Sequence, residues 1–124
     1  MFREDRPWGF FVNFEEEIKD LGWVKILHLK KNSELSHQYH NKRKEIWYIV
    51  SGEGEVLVWD SEEEYKVGKA KVFFVKEGDE VVIEKKQIHT AIAKSDNGLT
   101  ILEFGIGVCE EDDIVRLKDK YGRA

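Results

Sequence analysis

Short apolar runs separated by turn-like stretches fill the chain from Trp23 to Phe104. Each run is rich in β-branched and aromatic residues, which favour strands. The predicted strands cover residues 23–29, 46–50, 55–59, 64–67, 71–75, 80–83, 89–93 and 99–104. Turns are predicted where glycine clusters with polar residues, at positions 51–54, 76–79 and 95–98. Many short strands at close spacing indicate an all-β fold of the sandwich or barrel type.

A helix is predicted near the end of the chain, over residues 110–121. Acidic residues fill its first turn, and Lys118 and Lys120 lie near its end, as the helix dipole favours. Ile114 and Leu117 form a narrow apolar stripe on this segment. We therefore expect a short C-terminal helix that caps one end of the barrel.

Composition and charge exclude several kinds of partner. The 124 residues suit one domain over residues 1–124. The 20 Lys and Arg against 25 Asp and Glu give a net charge of −5, so the basic excess typical of nucleic-acid or membrane-surface binding is absent. Cys109 is expected to be an inert thiol, and the charged stretch 60–64 is interpreted as a solvated hairpin loop. No run resembles a signal peptide or a membrane span, so the cytoplasm is the expected location.

Polar residues interrupt the strand pattern just before and at the start of the second predicted strand. Alternate side chains of a strand share a face, so Gln38 and His40 point the same way. Glu45 lies on the inward-facing side of the next strand, and His89 begins a later strand. If these strands are neighbours in a closed barrel, all four side chains converge as metal ligands. Their nitrogen and oxygen donors suit Zn²⁺, with Mn²⁺, Co²⁺, Fe²⁺ and Ni²⁺ left open.

The spacing of these residues resembles the two motifs of the cupin superfamily. The segment Gln38-x-His40-x4-Glu45-x6-Gly52 is similar to the first motif, with glutamine where the commonest form has histidine. The segment from Gly78 to His89 resembles the second. Four residues depart from the usual motifs, with Asn32 and Lys86 in place of glycine, Glu84 in place of proline and Ala93 in place of asparagine. The resemblance implies a cupin fold, a double-stranded β-helix or jelly-roll barrel, with a metal held by the four ligands above.

The resemblance extends to one family of cupins and covers nearly the whole chain. Arg6-Pro-Trp-Gly9, His40-x2-Arg43-x-Glu45-x-Trp47 and Leu102-Glu103-Phe104 are similar to segments of the cupin domain of type II mannose-6-phosphate isomerases. The most specific element is the closing run at 111–123, EDDIVRLKDKYGR, which a cupin as such does not require. In that family the domain often follows a nucleotidyltransferase domain, whose glycine-rich nucleotide loop this sequence lacks. We therefore expect the isomerase part alone.

The resemblance implies the interconversion of mannose 6-phosphate and fructose 6-phosphate, in which a proton moves between C1 and C2 through an enediol. A divalent metal would polarise the carbonyl, and a base of near-neutral pKa is also needed. Strand parity sends Lys25 and Glu103 inward, so both are candidate catalytic residues. Arg43 matches an arginine of the family's motif, and its guanidinium fork would orient the phosphate or an anionic intermediate. A homodimer is expected, because exposed edge strands gain by pairing and the fold commonly forms dimers.

Other interpretations stay open for these residues and for the function. Lys25 and Glu103 could form a structural ion pair, and Arg43 could be a surface cation. His28 and His37 are interpreted as structural histidines. A different metal-dependent cupin enzyme, a dioxygenase or a decarboxylase, would use iron or manganese. A non-catalytic cupin would bind a sugar without turnover.

Overall fold

The computed structural model describes residues 2–13 and 22–118, and strands dominate both ranges. The strands are β1 (Phe2–Arg6), β2 (Gly9–Asn13), β3 (Trp23–Leu29), β4 (His37–Tyr39), β5 (Arg43–Trp59), β6 (Lys71–Lys76), β7 (Glu80–Ile83), β8 (Ile88–Ala93), β9 (Leu99–Gly107) and β10 (Val115–Lys118). A short helix, α1 (Glu62–Lys66), lies between β5 and β6. The all-β prediction is confirmed, as are the turns at positions 76–79 and 95–98. No helix in the described ranges is long and apolar enough to cross a membrane.

Strand β5 joins the two halves of the fold, because it is long enough to pair with four other strands. Its first half pairs antiparallel with β7 and β9, and its second half with β6 and β8. The sheet follows the order β1-β2-β3-β9-β5-β8-β4-β10. The register between β5 and β9 shifts between Ile49 and Ser51, where β5 carries an extra residue. A bulge of this kind bends and twists its strand, so the sheet curls around a shared interior.

The turn predicted at positions 51–54 is wrong, because β5 runs through it. The glycines there permit close approach of neighbouring strands. A Cβ atom on Gly52 would lie 2.0 Å from the carbonyl oxygen of Gly98. A Cβ atom on Gly54 would lie 2.3 Å from the carbonyl oxygen of Ile92. Glycine is therefore required by packing inside the strand and does not mark its end.

Helix α1 replaces the strand predicted at positions 64–67 and the hairpin loop predicted at positions 60–64. It begins after Ser61, whose side-chain oxygen accepts a hydrogen bond from the backbone N–H of Glu64 at 3.1 Å. Glutamates fill its first turn, where the helix dipole favours negative charge. The local capping signal therefore outweighs the β-prone residues Tyr65 and Val67.

The helix predicted over residues 110–121 is wrong for the part that the structure describes. A turn occupies positions 111–112, and β10 then pairs antiparallel with β4. The sequence of β10, Val-Arg-Leu-Lys, alternates apolar and polar residues as a strand does. Pairing with β10 also satisfies the backbone groups on that edge of β4. Positions 119–121 of the predicted helix lie outside the described residues.

The inward face of the sheet is apolar at one end of the fold and polar at the other. Leu27 on β3 lies opposite Ile101 on β9, and both belong to the apolar core. Two residues away from this pair, Lys25 on β3 lies opposite Glu103 on β9. Glu103 also lies opposite Trp47 on β5. The inward parity predicted for Lys25 and Glu103 is confirmed, since they are only 7% and 5% exposed. This layer begins the polar end of the interior.

Two loops keep a left-handed backbone at positions where the cupin motifs usually have glycine. Asn32 has a φ of 63° and Lys86 a φ of 67°. This region costs a residue with a side chain about 1–2 kcal/mol, and asparagine tolerates it best. The Lys86 N–H donates to the carbonyl oxygen of His40 at 2.7 Å. The loop before β8 is therefore held against the residue that follows β4.

Candidate metal centre

Three buried side chains converge at the polar end of the interior: His40, Glu45 and His89. His40 directly follows β4, while Glu45 and His89 lie near the starts of β5 and β8. Nε2 of His40 lies 3.5 Å from Oε2 of Glu45, and Nε2 of His89 lies 3.7 Å from Oε1 of Glu45. One ligand atom from each residue lies within 4.8 Å of the other two. A cluster of this size can surround one small cation.

The outer ring nitrogens fix the orientation of both imidazoles. Nδ1 of His40 donates to the carbonyl oxygen of Asp113 at 2.7 Å, and Nδ1 of His89 donates to that of Gln87 at 2.9 Å. A carbonyl oxygen only accepts, so Nδ1 carries the proton in each ring and Nε2 keeps a lone pair. Nε2 of His89 is buried without a hydrogen-bond partner among residues 2–13 and 22–118. A buried nitrogen of this kind is a ligand atom that a bound cation would satisfy.

The charge states of the three residues suit a divalent ion. Burial lowers the pKa of His40 to about 4 and also lowers the pKa of His89, so both rings are neutral near pH 7. Burial alone would raise the pKa of Glu45, but His40, His89 and Arg43 as neighbouring cations lower it to about 2. Since the imidazoles are neutral near pH 7, Arg43 is the cation that faces the Glu45 carboxylate there. Two neutral imidazoles and one carboxylate fit Zn²⁺ or a similar divalent ion.

The fourth predicted ligand, Gln38, lies beside this cluster. Its backbone is directly opposite that of His89 in the β4–β8 pair, and its side chain lines the adjoining cavity. Its Oε1 atom accepts a hydrogen bond from Ser36 Oγ at 2.7 Å, which orients the amide. The role of Gln38 as a ligand stays a prediction. His28 and His37 have protein partners elsewhere, since they bond Thr100 and Tyr65, as the structural interpretation expected.

Arg43 lies inside the protein, so its interpretation as a surface cation is wrong. It is 5% exposed, and its guanidinium lies 4.2 Å from the ring centroid of Trp23. Nε donates to Glu45 Oε2 at 2.9 Å, and a terminal nitrogen donates to the carbonyl oxygen of Glu110 at 3.1 Å. The other terminal nitrogen donates to Nε2 of His40 at 3.3 Å, a bond that a metal at this atom would replace. Arg43 therefore holds the Glu45 carboxylate in place.

An open cavity is lined by Arg43, which bonds Glu45 of the cluster, and by the other two candidate catalytic residues, Lys25 and Glu103. The ammonium of Lys25 lies 2.5 Å from Oε1 of Glu111, so Lys25 pairs with Glu111 and not with Glu103, the alternative left open by the sequence. Burial raises the pKa of Glu103 to about 8, and the nearby Glu45 charge acts in the same direction. Glu103 is thus protonated near pH 7 and can exchange its proton in that range, as a general acid or base must.

The segment before β10 supplies contacts that the sequence prediction missed. The Asp113 carboxylate is buried and accepts the backbone N–H groups of Asn41 at 3.0 Å and Lys42 at 2.9 Å. Its carbonyl oxygen orients His40, as described above. Asp113 thus fixes the turn between His40 and β5 through both its carboxylate and its backbone carbonyl. The closing run at 111–123 had been singled out as the most specific element of the sequence. Its contacts were missed because a helix was predicted there, and a helix would have placed these side chains differently.

Replacing Asp113 with alanine should weaken metal binding by about 10- to 100-fold, because the His40 turn loses its anchor. Asp112→Ala is the matched control, since Asp112 is the exposed neighbour on the same turn. Competition with a chelating indicator measures both affinities. Equal affinities in the two variants would show that Asp113 does not position His40.

The chain matches a family model and several curated proteins. The family model described as "Mannose-6-phosphate isomerase C-terminal" matches residues 2–119. The chain is 33% identical over 122 residues to the alginate biosynthesis protein AlgA of Pseudomonas aeruginosa, covering 95% of this chain and 22% of that protein. It is 31% identical over 121 residues to a mannose-1-phosphate guanylyltransferase of Salmonella montevideo, covering 95% of this chain and 23% of that protein. The chain thus spans about a fifth of the length of these relatives.

Solved structures confirm the cupin fold. The capsular polysaccharide assembling protein CapF of Staphylococcus aureus matches with a TM-score of 0.81 at 16% identity, covering 95% of this chain and 32% of that one. The oxalate decarboxylase of Lactobacillus farciminis matches with a TM-score of 0.76 at 19% identity, covering 94% of this chain and 33% of that one. At these identities the likeness concerns the fold alone, and the family rests on the sequence match. The chain belongs to the mannose-6-phosphate isomerase C-terminal family.

Proposed function

We propose that this chain is a metal-dependent isomerase that interconverts mannose 6-phosphate and fructose 6-phosphate. The observation that carries the proposal is the cluster of His40, Glu45 and His89 beside a cavity in which Glu103 has a pKa of about 8. Aldose–ketose isomerisation needs a Lewis acid at the carbonyl and a proton carrier that works near neutral pH. Family membership supports the choice of sugar phosphate.

Four side chains would hold the metal: Gln38, His40, Glu45 and His89. Zn²⁺ is the first candidate, and Mn²⁺, Co²⁺, Fe²⁺ and Ni²⁺ suit the same donors. When bound, the ion supplies Lewis-acid polarisation of the sugar carbonyl and stabilises the charge that develops on its oxygen. The residues that line the cavity then need to orient the sugar, to move a proton from C2 to C1 and to let the proton of the C2 hydroxyl pass to O1.

Glu103 is the group that we assign to proton transfer. In its ionised form it takes the proton from C2 of the aldose. A proton then passes from the C2 hydroxyl to O1 of the enediolate, and the Glu103 carboxylic acid returns its proton to C1. A single carboxyl group on one side of the sugar can serve both carbons, because they are adjacent. A divalent cation nearby would lower the pKa of Glu103 from about 8 toward neutrality, which increases the ionised fraction.

Lys25 and Arg43 are assigned to positioning and charge. Lys25 is held by Glu111 at the cavity wall, where its ammonium can donate to a sugar hydroxyl. All three nitrogens of Arg43 donate within the protein, so we assign it to fixing Glu45 and to stabilising anionic charge on the intermediate. Neither residue needs to change its protonation state during turnover.

The proposal is tested by a coupled assay of mannose 6-phosphate conversion after chelation and after readdition of each divalent metal. We expect metal-restored turnover in the wild type and in His28→Ala, the control for a histidine outside the cluster. His40→Ala should stay inactive with every metal. A wild-type chain that binds metal but converts no sugar phosphate would refute the isomerase and leave another cupin reaction or plain sugar binding.

A further inference from the structure

The cavity beside the metal centre is lined by more cations than acids, although the chain has a net charge of −5. Its charged lining residues are four cations and two acids: Arg6, Lys25, Arg43, Arg116, Glu103 and Glu111. Burial raises the pKa of Glu103 to about 8, so one of the two acids is neutral near pH 7. A cation-rich lining in an acidic protein favours an anionic ligand.

The four cations form an inner and an outer pair. Lys25 and Arg43 are almost fully buried, and each already bonds a carboxylate. Arg6 is half-buried and Arg116 is exposed, although both line the same cavity. The outer pair therefore lies where the cavity opens to solvent, and an entering anion meets it first.

Both outer arginines are placed to face this opening. Arg116 on β10 lies directly opposite Gln38 on β4, and directly opposite residues of an antiparallel pair share a face. Since Gln38 lines the cavity, this register explains why Arg116 does so too. The guanidinium of Arg6 lies 5.0 Å from the ring centroid of Phe11, another lining residue. Arg6 also pairs with Glu4 at 2.6 Å, but a partly exposed pair of this kind contributes little and yields to a dianion.

We propose that Arg6 and Arg116 form the site that binds the phosphate of the sugar at the mouth of the cavity. This assignment rests on the proposed isomerase function and deepens it. The reacting carbons, C1 and C2, must lie at the inner end beside Glu103 and the metal cluster. The phosphate on C6 is at the opposite end of the sugar, so it points to the mouth. Two guanidinium groups there can each bind phosphate oxygens through a bidentate fork.

The site also gives a role to the arginines of two sequence motifs that supply no metal ligand. Arg6 belongs to Arg6-Pro-Trp-Gly9, and Arg116 belongs to the closing run. Strands β1 and β10 bring these distant parts of the chain to one opening. Neither motif contains a metal ligand, so phosphate recognition accounts for their arginines independently of the metal.

The test is a calorimetric titration of the metal-loaded chain with fructose 6-phosphate, using Arg6→Gln and Arg116→Gln. Each substitution removes charge-assisted hydrogen bonds to the phosphate, so each should raise Kd by about tenfold or more. Arg3→Gln is the matched control, because Arg3 is an exposed arginine on β1 outside the cavity lining, and its Kd should match the wild type. In the coupled assay, KM should rise with little change in kcat. Inorganic phosphate should compete with the sugar in the wild type and lose this effect in both variants.

Because binding is measured separately from turnover, the two claims fail in different ways. A wild type that binds fructose 6-phosphate without turnover, with weaker binding in the arginine variants, supports the phosphate site and refutes the isomerase. Arginine variants that bind as tightly as an active wild type refute the phosphate site and leave the isomerase intact. If a glutamine variant unfolds, Arg6→Lys and Arg116→Lys keep the charge but lose the fork. Unchanged binding in these lysine variants would then refute bidentate recognition.

Discussion

Replacing Glu103 with glutamine is expected to lower kcat by about 10²- to 10⁴-fold, the usual contribution of a general acid or base. Glutamine keeps the size of the side chain but cannot carry a proton between C1 and C2. The wild-type rate should rise with pH through a pKa at or below about 8, since only the ionised carboxyl takes a proton. This inflection should be absent from the residual rate of Glu103→Gln. Steady-state assays across pH measure both effects.

Glu80→Gln is the control for this experiment, because Glu80 is an exposed glutamate on β7. It should keep the wild-type rate and pH profile. The assignment would be wrong if Glu103→Gln retained kcat within a few-fold of the wild type, or if it kept the inflection.

The same carboxyl makes stability depend on pH. Glu103 has an ordinary pKa of 4.5 when exposed and about 8 in the fold, because burial disfavours its charge. Between these values the folded chain binds more protons than the unfolded chain, so this group's contribution to the free energy of unfolding falls as pH rises. Urea unfolding at several pH values should show a less negative slope in Glu103→Gln than in the wild type.

Replacing Glu45 with glutamine is expected to lower the free energy of unfolding of the metal-free chain by about 3 kcal/mol. The substitution leaves the Arg43 guanidinium buried without its charge partner, with which it now bonds at 2.9 Å. It also removes the only carboxylate of the metal cluster, so metal binding should be lost. Urea unfolding in the presence of a chelator measures the first effect, and metal analysis after dialysis measures the second.

Two further variants separate the charge effect from a general loss of packing. Glu53→Gln changes an exposed glutamate on the same strand and should leave stability unchanged. Adding Arg43→Met to Glu45→Gln should recover part of the loss, because no unpaired charge remains buried. If the double variant is no more stable than Glu45→Gln alone, an uncompensated arginine is not the cause.

The strands and their inward faces were accessible from the sequence because side chains alternate strictly along a strand. β3 matches its predicted range, and parity alone placed Lys25 and Glu103 in the interior. The spacing of His40, Glu45 and His89 likewise predicted a cluster that the structure brings together. These features depend on local periodicity or on a fixed spacing, which a sequence displays directly.

The errors concern segments whose conformation is decided by distant neighbours. Gly52 and Gly54 led to the prediction of a turn. They lie inside β5, where glycine is needed because the backbone of neighbouring strands approaches closely. The acidic start and basic end of residues 110–121 suit a helix dipole and led to the prediction of a helix. Pairing with the edge of β4 stabilises a strand at Val115–Lys118 instead. The contact of Asp113 with His40 depends on that pairing, so the sequence alone could not reveal it.

The most direct test of metal-dependent isomerisation is to titrate the metal-free chain with the most activating metal while bound ion and mannose 6-phosphate turnover are measured in the same samples. Turnover should rise in proportion to bound metal and level off at one ion per chain. Glu45→Gln should show neither binding nor turnover. An active metal-free chain, or a chain that holds its ion and stays inactive, would contradict the assignment of His40, Glu45 and His89 as the centre of an isomerase.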